Sequence, residues 1–188
     1  VGLSLFGFGE GLLVQSGWGA TPWTVFAEGV AKNTGLTLGW TTALISSVVL
    51  LFWLPLREKP GFGTIANLTI IAAMLQVTVD FMPSAHLGVV RALYIVMALE
   101  SIGAGSALYI TTGLGPGPRD GLMTSIHRHF GLSIVYVRLG IEATVLVIGW
   151  LLGGRVGVGT AIFAGGIGFS IGLNLQMLSG LLKRWAND

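Results

Sequence analysis

Gly113-Leu114-Gly115-Pro116-Gly117-Pro118-Arg119-Asp120-Gly121 is the stretch whose reading decides the fold. Its prolines lack an N–H donor and resist helix interiors. Its glycines let the backbone turn and let another group come close. Pro118 suits the first position of a new helix, with Arg119 and Asp120 in its first turn. Two readings stand side by side. One is a plain turn between helices; the other is a helix break inside a membrane domain that aims a helix N-terminus at something.

The surroundings place the stretch in a membrane. Of 188 residues, 53% are hydrophobic and 10% charged, against about a quarter charged in soluble domains, and the mean hydropathy is +0.82. The net charge of +2 and its scattered basic residues give no nucleic-acid footprint. With no cysteine there is no disulfide, thiolate metal site or Cys nucleophile. His127 and His129 do not make a metal site. No Ser/His/Asp arrangement, P-loop or strand-borne glycine motif supports an enzyme or a nucleotide cofactor. The expectation is therefore a non-enzymatic protein without cofactor or metal. The chain opens at Val1 without Met, so its start is expected upstream, and no signal-peptide pattern is visible.

Apolar segments at residues 1–16, 36–56, 62–80, 88–112, 132–152 and 158–182 read as six spans. Two shorter, more polar segments, 22–34 and 118–130, follow the glycine breaks. At about 1.5 Å per residue each is near 20 Å long, too short to cross a core of about 30 Å. They are expected to be re-entrant or interfacial helices.

Sliding the chain by 96 residues aligns its halves without a gap. Gly7 meets Gly103, Gly17 meets Gly113, Gly19 meets Gly115, and Pro22 meets Pro118. Gly35-Leu36 meets Gly131-Leu132, and Gly61, Gly63 and Thr64 meet Gly157, Gly159 and Thr160. Residues 1–87 and 88–188 thus read as two repeats of one integral membrane domain, each with three spans and a short helix. Three crossings per repeat invert the second copy, as in many transporters. Basic residues sort accordingly: Arg57, Lys59, Arg119, Arg128, Lys183 and Arg184 fall on one side, mainly Lys32 and Arg155 on the other, with Arg91 near a helix end. The first side is expected to be cytoplasmic, with both termini inside.

The run Gly117–Met123, Gly131-Leu132-Ser133, Gly149-Trp150-Leu151-Leu152-Gly153 and Gly157-Val158-Gly159-Thr160 resembles the YczE-like branch of the YczE/YyaS/YitT bacterial membrane proteins. The resemblance implies a multi-pass protein of the bacterial cytoplasmic (inner) membrane. It brings no settled activity, substrate or catalytic set.

Function has to be argued from residues. In an inverted pair, the two glycine breaks dip toward the middle, and helix N-termini there favour anions. Gly113, Gly115, Gly117, Arg119 and Asp120, with Gly17, Gly19 and Thr21 from the first break, are the candidate substrate-binding set. Alternatively, Arg119 touches headgroups or pairs with Asp120. Asp120 either caps the short helix or holds Arg119. Arg138 and Glu142, four apart on one helix face, form either a locking ion pair or a gate or proton-coupling pair; the repeat puts Thr42 and Ser46 in their places. Glu10 and Glu100 are proton carriers or partners of Arg138 or Arg119. Asn67, Gln76, Asn174 and Gln176 read as interhelical hydrogen-bonding groups. The six tryptophans read as interfacial anchors, not as a ligand cage. The leading expectation is a small transporter or channel-like permease for an anionic or zwitterionic solute. The rival is a non-transporting subunit that assembles with a larger membrane complex. Lipid, a small-molecule substrate and a homo-oligomeric or complex partner are the expected contacts.

Overall fold

The computed structural model describes residues 1–185, with side chains described through residue 180. The expected basic pair Lys183–Arg184 and the Trp185 anchor lie outside the described side chains. Among the described residues the chain is all-helical: α1 (Gly2–Ser16), α2 (Pro22–Thr34), α3 (Leu38–Leu51), α4 (Phe62–Phe81), α5 (Gly88–Ile110), α6 (Pro118–Phe130), α7 (Ile134–Leu151) and α8 (Val158–Trp185).

Local chemistry sets these bounds. α2 opens on Pro22 behind Thr21, whose hydroxyl accepts from the Thr24 amide at 3.2 Å. It closes on Gly35 in the left-handed region, φ 75°. α6 repeats the plan between Gly117-Pro118 and Gly131, φ 67°, without a side-chain cap. Basic residues end both short helices, Lys32 in α2 and His127, Arg128 and His129 in α6, where they oppose the helix dipole.

Among the described residues four helices are long and apolar enough to cross a bilayer, α4, α5, α7 and α8, and α2 with α3, bent by 113°, forms a fifth candidate. The expectation of six spans also counted α1 and α3 singly. With 15 and 14 residues, these fall short of the roughly 20 that a span needs. α3 stops early because turns from residue 52 onward end at Arg57, which takes φ 55°.

The halves interlock. α1 and α5 run antiparallel down the centre: Gly2 faces Gly105 and Leu108, and Gly9 faces Ala98 and Ile102. A Cβ at Gly9 would stand 2.8 Å from the Ala98 carbonyl, so the close approach requires glycine. α4 runs parallel to α1, Gly7 meeting Ile71 and Gly11 meeting Thr78, and α8 runs parallel to α5, Gly103 meeting Ser170. α2 crosses to pack on α7, and α3 packs on α6. The glycine breaks fasten the opposite half: Gly63 N–H donates to the Leu114 carbonyl at 2.8 Å and Gly159 N–H to the Trp18 carbonyl at 2.7 Å.

The 96-residue register recurs in the backbone. α2, α3 and α4 start at residues 22, 38 and 62; α6, α7 and α8 start at 118, 134 and 158. Among the described residues, positive φ occurs at Gly17, Gly19, Gly35 and Arg57 and, 96 positions on, at Gly113, Gly115, Gly131 and Gly153. The packing is less regular: α3 lies along α4, whereas among the described residues α7 has no comparable packing against α8.

Candidate functional site: a charged cluster in an apolar cavity at the short helices

The N-terminal ends of α2 and α6 meet beside the middle of α1, at the wall of a cavity of about 500 Å3. Glu10 on α1 is 1% exposed, and its Oε1 accepts from Arg119 Nη1 at 3.2 Å and from the Thr21 hydroxyl at 3.3 Å. The Arg119 guanidinium also lies 5.1 Å from the centre of the Trp23 ring, a cation–π contact. Trp23 and Arg119 are the second residues of α2 and α6, so the two short helices touch through corresponding positions.

The pairing follows from burial. A carboxylate inside an apolar bundle needs a charge partner, and removing that partner costs more than the pair itself contributes. Among the described residues, three buried polar atoms on residues of the cavity wall have no protein hydrogen-bond partner: Glu10 Oε2, Trp23 Nε1 and the Thr42 hydroxyl. Such atoms are uncommon in folded proteins and call for an explanation.

The mouth is more charged and more open. Arg138 donates to Glu142 Oε1 at 2.9 Å, and their side chains are 48% and 23% exposed. Asp120 accepts from the Tyr109 hydroxyl at 2.5 Å. Asp120 therefore neither caps α6 nor holds Arg119; it ties α6 to α5. Arg119 bonds Glu10 on the inside, and Asp120 is not its partner.

Of the residues singled out in the sequence, Glu10, Thr21, Gly113, Gly115, Gly117, Arg119, Asp120, Arg138 and Glu142 line the cavity. Gly17 and Gly19 do not. Gly19 is pressed against Gly157 and Thr160 at the start of α8, where a Cβ would come within 2.6 Å of the Gly157 amide. Glu100 is also elsewhere: it accepts from Ser170 and Asn174 on α8, on the outer surface. Thr42 and Ser46 join Arg138 and Glu142 on the cavity wall. Gln76 bridges helices as expected, its Oε1 accepting from the Gly39 amide at 2.8 Å.

Sequence reasoning read Asn67 as an interhelical hydrogen-bonding group and Trp23 as an anchor and did not single out Ser106 or Tyr109, yet all four are on the wall. The anchor reading of the tryptophans holds for Trp40 and Trp150, which are 72% and 62% exposed. It fails for Trp23 and Trp53. Trp53 is 2% exposed and donates from Nε1 to the Pro118 carbonyl at 3.1 Å. Its ring fills the space above Gly121, where a Cβ would lie 2.1 Å from Cζ2. Segment-end position alone does not distinguish an indole facing lipid from one turned inward.

Two ion pairs sit at opposite ends of the molecule. Arg155 holds Glu28 of α2 at 3.0 Å, and Arg128 of α6 holds Glu58 at 2.5 Å. Each joins a short helix to the last interhelical connection of the other half.

These features define the class: a multi-pass helical membrane protein with a mainly apolar cavity that carries two ion pairs and a few other polar groups on its wall. The chain belongs to the family of unknown function DUF6198, whose description matches residues 1–175. It is 42% identical over 179 residues to an uncharacterized protein of Haemophilus influenzae, covering 95% of this chain and 82% of that one. It is 31% identical over 189 residues to the uncharacterized membrane protein YczE of Bacillus subtilis, covering 97% and 88%. It is 27% identical over 174 residues to the uncharacterized protein YyaS of the same organism, covering 86% and 83%. The chain is thus YczE-like, as its glycine and proline motifs suggest. No solved structure matches it.

Proposed function

We propose that the protein is a small-solute permease of the bacterial cytoplasmic membrane, built as an inverted-topology repeat around the central cavity. The observation that carries this is the cavity itself, whose lining includes three residues, Glu10, Trp23 and Thr42, each with a buried polar atom that has no protein partner. A sealed structural core has no use for unsatisfied donors and acceptors. A binding site has, because a passing solute supplies the missing bonds. The inverted repeat is supported by the antiparallel run of α1 and α5 and by the shared 96-residue register of helix starts and left-handed positions. In this reading α1 and α3 serve as the remaining two crossings, thinner than ordinary spans, and α2 and α6 reach only the middle.

Both termini are assigned to the cytoplasm. Arg119 is spent inside the cavity. The remaining charges put Arg57, Lys59 and Arg128 at one end and Lys32, Arg91 and Arg155 at the other, so Lys183 and Arg184 decide the orientation.

The test is flux. Purified protein in liposomes should accelerate entry of small polar solutes, and Arg119→Gln should abolish the effect at equal reconstitution. Protein-free rates for every solute, with a robust fold in circular dichroism, would favour the non-transporting subunit.

A further inference from the structure

We propose that the cavity takes an amine: a small solute whose ammonium donates to the free oxygen of Glu10 and whose acceptor oxygen receives the indole N–H of Trp23. The inference rests on reading the cavity as a solute site and adds the class of solute.

The unpartnered atoms set the hydrogen-bond pattern. Glu10 Oε1 is taken by Arg119 and Thr21, while Oε2, on a side chain 1% exposed, accepts from nothing. A carboxylate oxygen can only be satisfied by a donor. Trp23 Nε1 is a donor without acceptor capacity, 7% exposed and also unpaired. The Thr42 hydroxyl, 2% exposed, can serve either role. A ligand that meets all three therefore carries both an N–H or O–H donor and an acceptor.

Charge selects among such ligands. Two guanidinium and three carboxyl groups line the cavity, formally one negative charge in excess. Both guanidinium groups are already paired, Arg119 with Glu10 and Arg138 with Glu142. An incoming anion finds no free cation and a wall of its own sign. An ammonium offsets the one lining carboxylate without a cationic partner, Asp120, and its N–H groups are the donors that the orphaned Glu10 oxygen lacks. The volume of about 500 Å3 suits a small solute, and Phe6, Ile71, Ile102 and Phe163 offer an apolar wall for its carbon skeleton. An amine that also bears a carboxylate or carbonyl oxygen, as in a zwitterionic amino acid, fits every term.

Calorimetry on the detergent-solubilised protein tests this with a series that varies only the donors: glycine, N-methylglycine, N,N-dimethylglycine and trimethylglycine, with leucine and propane-1,3-diamine for size, and methylammonium and acetate as the separated halves. Compounds with an N–H should bind about tenfold or more tighter than trimethylglycine, and acetate should be the weakest. Glu10→Gln combined with Arg119→Gln, which leaves no lone buried charge, should erase the preference for N–H over N-methyl while the protein stays folded. Trp23→Phe keeps the ring and should weaken the amino acids but not methylammonium. Trimethylglycine or acetate binding as tightly as glycine overturns the inference, as does failure of every amine to bind. Liposome flux reports separately: binding with the predicted preference but no flux removes the permease and leaves the amine site standing.

Discussion

Glu10 and Arg119 are joined across the two halves, and each depends on the other. Arg119→Gln leaves a carboxylate 1% exposed without its charge partner, and the expected loss of stability is about 3 kcal/mol or more. Adding Glu10→Gln should recover most of it. Thermal unfolding of the two single variants and the double variant, taken as a cycle, measures the coupling. Thr21→Ala removes both the cap of α2 and a bond to Glu10, so it should cost about 1 kcal/mol and depend on which residue stands at position 10. The two charged members were legible in the sequence because charge inside apolar segments rarely lacks a purpose. Glu100 carries the same signal, yet faces outward to Ser170 and Asn174. Which side of a helix a lone acid occupies depends on packing, and the surrounding glycines did not disclose it. The 96-residue register matched Trp23 to Arg119 but gave no sign of contact between them, and a tryptophan at a segment end is the ordinary pattern of an anchor.

The short helices were the most legible elements, since Thr21-Pro22 and Gly117-Pro118 open them and Gly35 and Gly131 close them on backbone grounds alone. Spans were harder to bound, because an apolar run continues past the last helical hydrogen bond, as after Leu51. The contact that seats α6 is also testable. Gly121→Ala puts a methyl 2.1 Å from the Trp53 ring, an overpacking expected to cost about 1–3 kcal/mol. Trp53→Phe should relieve part of that cost while losing the bond to Pro118. Gly115→Val acts through the backbone: φ is 115° there, and a Cβ would lie 3.1 Å from the Thr64 hydroxyl and 3.3 Å from the Gly61 Cα. It should lower folded yield in detergent, where Arg119→Lys should lower flux with yield unchanged.

The whole molecule packs its halves unequally. α3 closes on α4 while α7 stands off α8, and Arg138 and Glu142 sit in the side left open. If the permease works by exchanging the two arrangements, α7 and α8 should come together when α3 and α4 part. Gly39 and Gln76 touch in the closed pair, and Val135 and Gly172 are the residues 96 positions on. A Val135→Cys/Gly172→Cys variant of this cysteine-free chain should therefore cross-link with a short reagent during turnover and not at rest. Orientation is open to the same chemistry. Glu58→Cys in intact cells should resist an impermeant thiol reagent, whereas Arg155→Cys should react with it.

Trp23 and Arg119 hold corresponding places and touch each other. In a dimer of identical subunits, a position that meets its own counterpart meets a copy of itself. Two arginines would repel there, and two tryptophans would bring no cation. Joining both copies in one polypeptide removes that restriction, so one copy can carry the ring and the other the charge. The same holds for Glu10 and its counterpart Ser106, which leaves one buried acid where self-association would force two or none. Selection can then tune the two faces of the cavity separately, which an assembly of half-length subunits has no means to do.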